Sequence, residues 1–196
     1  MNIAVISTSP RKHSGSLRVA RYLKNVLEHY DQSNVRLVDF ETYDLPLIGQ
    51  GSLDKANLTP FQKELIDTLA AADLVFFMLP EYNWTAPPQF TNMLNQLGNK
   101  EFAHLFDGKV FALAGVSSGR GGREPAIQMT TVLNKLINFL NVHSVVSPRI
   151  WESHDTGKNL TETGESTGNE AYEKNARAFV DYALNVAQRW LVTSLV

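Results

Sequence analysis

The sequence predicts an α/β protein: a five-stranded parallel sheet with helices on both faces. Two observations carry this. Short apolar runs alternate with helix-length amphipathic segments, five times along the chain. Runs such as Leu74–Leu79 also contain no polar position, as expected of strands buried on both faces.

The runs are Ile3–Ile6, Val35–Phe40, Leu74–Leu79, Val110–Val116 and Val142–Val146. The first is followed by Ser16–Tyr30, with Leu17, Ala20, Leu23 and Leu27 at helical spacing. Thr59–Ala72 opens on a capping residue and a proline at the first turn. Pro87–Leu97 carries Phe90, Met93, Leu94 and Leu97. Glu124–Leu140 carries Ile127, Val132, Leu136 and Phe139. Asn169–Trp190 carries Ala176, Phe179, Val180, Leu184 and Ala187. Tyr43–Leu58 and Ser153–Gly168 are polar and read as loops, the second as a mobile surface excursion.

Composition excludes several function classes. The 196 residues suit one domain, 1–196. Eighteen Lys and Arg stand against 20 Asp and Glu, a balance without a footprint for nucleic acid or an acidic membrane. No apolar run reaches the roughly 18 residues of a membrane span, and no basic region precedes the first apolar stretch, as a signal peptide would require. Cysteine is absent, which excludes thiolate catalysis and fits a reducing cytoplasm. The five histidines show no metal-ligand spacing.

Ligands of an open parallel sheet bind beyond the carboxyl ends of its strands. Three loops there are unusual. After the first strand, Ser7–Ser16 leads directly into a helix. Helix-start N–H groups suit a phosphate, hydroxyls of Ser9, Ser14 and Ser16 could donate to it, and Arg11 could clamp it. A plain polar turn with Ser16 as helix cap would look the same. After the third strand, Pro80–Pro88 holds Tyr82 and Trp84 among prolines. Both rings could flank a planar ligand, or could cover the sheet end. After the fourth strand, Gly115–Gly122 has four glycines in eight residues, which lets backbone approach a ligand closely.

Together these loops resemble the NADPH-dependent FMN reductase family, which includes quinone, azo-dye and chromate reductases. The matching elements are Ser9-x-Arg11 with Ser14 and Ser16, then Pro80-Glu81-Tyr82-Asn83, then Ser118-Gly119-Arg120-Gly121-Gly122, with Phe106-x-Gly108-Lys109-Val110 before the fourth strand. The resemblance spans about residues 1–150. It implies a flavodoxin-like sheet of order 2-1-3-4-5 and bound FMN. Ser9, Arg11 and Ser16 would hold the phosphate, with Ser14 and Leu17 beside them. Pro80, Glu81, Tyr82, Asn83 and Trp84 would line the isoalloxazine, and Ser117, Ser118 and Gly119 would meet its pyrimidine edge. NADPH or NADH would be the co-substrate, a small molecule the electron acceptor, and a homodimer or homotetramer the assembly. The chain departs from the family at Pro88, at Thr91–Asn92 and in the bulk of Trp84, on the acceptor side rather than the flavin side.

Two other classes fit parts of the pattern. A non-enzymatic electron carrier or flavin-binding regulator would use the same fold. Gly115-Val116-Ser117-Ser118-Gly119 also fits the nucleophile elbow of a serine esterase, with Asp155 or His154 downstream of Ser117. No catalytic acid or base is expected for the reductase, since hydride chemistry belongs to the flavin.

Overall fold

The computed structural model describes residues 1–30 and 34–193. Its strands are β1 (Asn2–Ser7), β2 (Asn34–Asp39), β3 (Leu74–Pro80), β4 (Val110–Val116), β5 (Val145–Val146) and β6 (Trp151–Ser153). The helices are α1 (Gly15–Glu28), α2 (Pro60–Ala71), α3 (Pro88–Leu97), α4 (Arg123–Leu140), α5 (Thr156–Asn159) and α6 (Glu170–Thr193). The sheet runs β2-β1-β3-β4-β5, all parallel, as expected.

Every residue of β3 and β4 is buried. Alternate residues serve opposite faces. Val75, Phe77, Phe111 and Leu113 pack towards α2, α3 and α4. Phe76, Met78, Ala112 and Ala114 pack towards α1 and α6. Two cores on one sheet leave the carboxyl ends of β1, β3 and β4 in one row, which is where the site forms. Among the described residues no helix is long and apolar enough to cross a membrane.

Three expectations need correction. The fifth strand is not Val142–Val146. Only Val145 and Val146 pair with β4, opposite Val110 and Phe111. Pro148 lacks the N–H that a ladder needs, and pairing with β4 resumes one step on as β6, where Trp151 lies opposite Ala114. The sheet therefore has six strands.

The 153–168 segment is packed rather than a free excursion. Thr156 and Leu160 are buried, and the Arg21 guanidinium donates to the Glu162 carbonyl at 3.0 Å. Gly164, at φ 85°, lies so close to α1 that a Cβ would meet the Arg18 carbonyl at 2.8 Å.

Finally, the helix expected over Pro87–Leu97 starts at Pro88, with Pro87 as its cap, and its Phe90 and Met93 are fully buried against the sheet. The same helix holds the 43–58 loop. The Asn92 amide donates to the Tyr43 hydroxyl at 2.6 Å and the Pro46 carbonyl at 2.9 Å, and the Gln96 amide reaches Pro46 and Gly51.

Candidate active site

A cleft of about 250 Å³ lies at the carboxyl edge, bounded by the loops after β1, β3 and β4 and by α5. Its walls include Ser9, Arg11, Ser14, Ser16, Pro80, Glu81, Tyr82, Ser117 and Ser118. Four other expected residues, Leu17, Asn83, Trp84 and Gly119, do not line it. Leu17 is buried in the α1 core.

The β1 loop is organised by α1. Ser14, not Ser16, caps the helix: its Oγ accepts from the Leu17 N–H at 3.0 Å. Ser16 is thereby released from capping. Its hydroxyl is buried, 1 % exposed, and has no hydrogen-bond partner. An unpaired buried polar group costs about 1–3 kcal/mol unless a ligand or water satisfies it. Nearby, the Arg11 guanidinium lies 4.5 Å from the centre of the Tyr82 ring. Among the described residues no carboxylate pairs with Arg11. The Arg11 N–H donates to Ser9 Oγ at 3.3 Å, and Ser9 Oγ shares a 2.9 Å hydrogen bond with the Tyr82 hydroxyl.

The β3 loop is a two-residue turn. Tyr82 and Thr85 exchange backbone hydrogen bonds of 2.9 and 3.1 Å. Asn83 and Trp84 both have positive φ, 49° and 65°, the geometry of a primed hairpin turn. Trp84 is held there although bulky residues rarely adopt this conformation. The Gln128 amide fixes its carbonyl at 3.1 Å, and its ring is 73 % exposed on the rim.

The β4 loop depends on glycine at two positions. A Cβ on Gly115 would meet the Gly122 carbonyl at 1.5 Å, so the strand end and the start of α4 can approach only with glycine there. Gly122, at φ 92°, donates its N–H to the Glu81 carboxylate. Glu81 is thus occupied at the amino end of α4, which favours negative charge.

The esterase geometry is not formed. α4 begins at Arg123, well past Ser117, rather than at the nucleophile. Ser117 Oγ accepts from the Gly119 N–H at 3.3 Å, while His154 Nδ1 accepts from the Gly121 N–H at 3.0 Å. Asp155 pairs with Lys158. The elbow-like Gly115 is explained by packing alone.

Sequence reading missed the fourth wall. Thr156, Gly157 and Arg18 line the cleft, and Thr156 Oγ1 donates to the Ser117 carbonyl at 3.0 Å. No local pattern marks this segment; the pairing of β6 with β4 delivers it. A larger cavity, about 450 Å³, lies between α1 and α6. Its Glu173 carboxylate is already bonded to Ser166 and Arg177, so the smaller cleft, with Ser16 and Arg11 unclaimed, is the better anion site.

The arrangement is suited to a phosphate monoester at the β1 loop and a planar ring beside Tyr82. Comparison with known proteins identifies the family. A sequence model of the NADPH-dependent FMN reductase family matches residues 1–152. The NAD(P)H-dependent FMN reductase of Saccharomyces cerevisiae is 27 % identical over 153 residues, 69 % of this chain and 75 % of that protein. An NADPH azoreductase of a Bacillus species is 32 % identical over 122 residues, 62 % of each chain. The solved structure of a Paracoccus denitrificans flavoenzyme, an NAD(P)H:(acceptor) oxidoreductase, superposes with a TM-score of 0.65 at 18 % identity, covering 94 % of this chain and 97 % of that one.

Proposed function

The chain belongs to the NADPH-dependent FMN reductase family, and from that premise we propose that it binds FMN in the carboxyl-edge cleft and passes electrons from NAD(P)H to a small-molecule acceptor. The observation that carries the assignment to this cleft is Ser16. Its buried, unpartnered hydroxyl lies in the same wall as Arg11, Ser9 and Ser14, a donor set matched to a dianionic phosphate.

In this reading Ser9, Arg11, Ser14 and Ser16 bind the phosphate, with Leu17 anchoring the Ser14 cap. Pro80, Glu81 and Tyr82 flank the isoalloxazine, and the Asn83–Trp84 turn forms the rim above them. Ser117, Ser118 and Gly119 face the pyrimidine edge. FMN supplies the hydride and electron chemistry when bound. The protein's own part is to hold, orient and exclude. Tyr82 is held rigid by Ser9 and Arg11. Glu81, engaged by Gly122, is not free to act as a base.

In this reading the flavin face is reached from one side, between the 80–88 and 117–122 loops. Donor and acceptor would therefore take turns there, giving ping-pong kinetics. Quinones, azo compounds, metal oxyanions and free flavin are the acceptor classes. We place the enzyme in the cytoplasm, a reading supported by the absence of cysteine. For the expected dimer or tetramer, Leu47, Ile48, Trp84, Ile127, Val132 and Phe139 offer exposed apolar surface, whereas Phe90 and Met93 are buried.

Steady-state oxidation of NAD(P)H against a quinone tests the proposal. Parallel double-reciprocal lines support it. Intersecting lines contradict the single shared face, and retention of FMN without turnover favours the electron carrier.

A further inference from the structure

Three consecutive residues at the start of α4 are each anchored by a different side chain. The Gly121 N–H donates to His154 Nδ1 at 3.0 Å. The Gly122 N–H donates to Glu81. Arg123 pairs with Glu152 at 3.3 Å. The other oxygen of Glu152 lies 3.3 Å from His154 Nε2, which closes a ring from β6 back to the helix start. Because Nδ1 accepts, the ring proton of the neutral form sits on Nε2, the nitrogen on the Glu152 side.

The corner has no side chain of its own to fix it. Gly121 and Gly122 have φ of 148° and 92°, and a Cβ on Gly121 would meet the Glu81 carboxylate at 2.4 Å. Its position is set from outside, by His154 on one flank and Glu81 on the other. The corner also ends the loop whose Ser117 and Ser118 line the cleft.

We propose that His154, as the neutral Nε2–H tautomer, is a positioning residue that holds the 117–122 loop against the cleft. The role in flavin binding rests on the FMN reading above. An imidazolium donates from both nitrogens, so a proton on Nδ1 would oppose the Gly121 N–H and release the corner. The charged groups around the ring are Glu152 from β6, Arg123 from α4, Glu81 across the corner, and Asp155 with its partner Lys158. Arg123 and His154 share the Glu152 carboxylate, one on each oxygen. Taking up the proton removes the acceptor of Gly121. One lost hydrogen bond corresponds to about 3- to 10-fold in affinity.

Two measurements test this. The first uses flavin-free protein and the ring 15N spectrum of His154 at pH 8. The Nε2–H tautomer is expected, and the Nδ1–H tautomer overturns the proposal. The second is FMN affinity of the parent, His154→Ala and His154→Gln across about pH 5.5 to 8.5, where histidines change charge. The FMN phosphate titrates in the same range, equally in all three proteins, so the ratio between proteins is the readout. The parent should bind about 3- to 10-fold tighter than His154→Ala at pH 8, and this advantage should shrink as the pH is lowered. The advantage of His154→Gln, whose amide oxygen can accept but does not titrate, should persist across the range. A parent-to-alanine ratio that is constant with pH overturns the proposal. Protein with the expected tautomer that binds no FMN at pH 8 overturns the flavin reading instead.

Discussion

Ser9 and Tyr82, 73 residues apart in sequence, are joined by a 2.9 Å hydrogen bond between their hydroxyls. This bond ties the loop after β1 to the loop after β3, and Arg11 above the Tyr82 ring strengthens the tie. Under the proposed assignment, phosphate and ring recognition share one rigid element. A change at Arg11 should be felt at both ends of the flavin, but unequally.

Arg11→Ala removes a charge-assisted donor worth about 1.5–3 kcal/mol, so FMN affinity should fall by about 10- to 150-fold. Riboflavin lacks the phosphate and should lose only the indirect effect through Tyr82. A cation–π contact contributes about 0.5–1 kcal/mol at exposed sites, which is roughly 2- to 5-fold. Quenching of flavin fluorescence measures both. Equal losses for the two ligands would remove Arg11 from phosphate recognition.

Trp84 occupies a strained backbone position with its ring largely in solvent. Trp84→Gly relieves the left-handed conformation, an effect of order 1 kcal/mol, against a similar entropic cost of glycine. Thermal stability should therefore stay within a few degrees of the parent, although a tryptophan is lost. Relative kcat/KM among quinone, azo and oxyanion acceptors should change, and FMN affinity should not. A large fall in melting temperature would mean that the ring packs more than its exposure indicates.

Much of this arrangement was legible in the sequence. β1, β3 and β4 are continuous apolar runs because both faces of the sheet are covered, and the chemistry follows each of them directly. The β5 region was misread because Val145–Val146 and Trp151–Ser153 share one strand's work, with Pro148 between them. Phe90 and Met93 were rightly seen as an apolar stripe, but spacing does not say which neighbour covers it. The Thr156–Gly157 wall and the anchoring of Gly121 by His154 were invisible, since both arise from the long-range pairing of β6 with β4.

Asp39, at the end of β2, gives a pH-dependent test of the fold. Burial pushes its carboxyl above the ordinary carboxylate range. A group whose folded value is raised contributes stability below its unfolded value, near 3.9 for a free Asp, and loses it as pH rises through the folded value. At pH 7 the charged carboxylate should therefore cost stability. Asp39→Asn should raise the urea midpoint at pH 7, with a smaller gain at pH 4. A gain that is larger at pH 4 than at pH 7 would reverse the assigned sign.

The central claim is that the cleft holds FMN through its phosphate. The most direct measurement is a visible spectrum of protein reconstituted with FMN and then desalted, beside a Ser16→Ala variant treated in the same way. The parent should keep flavin bands shifted from those of free FMN. The variant, without the unpartnered hydroxyl, should bind about 10- to 150-fold more weakly, as expected for one hydrogen bond to a charged group. A parent protein that elutes colourless at micromolar concentration would contradict the account.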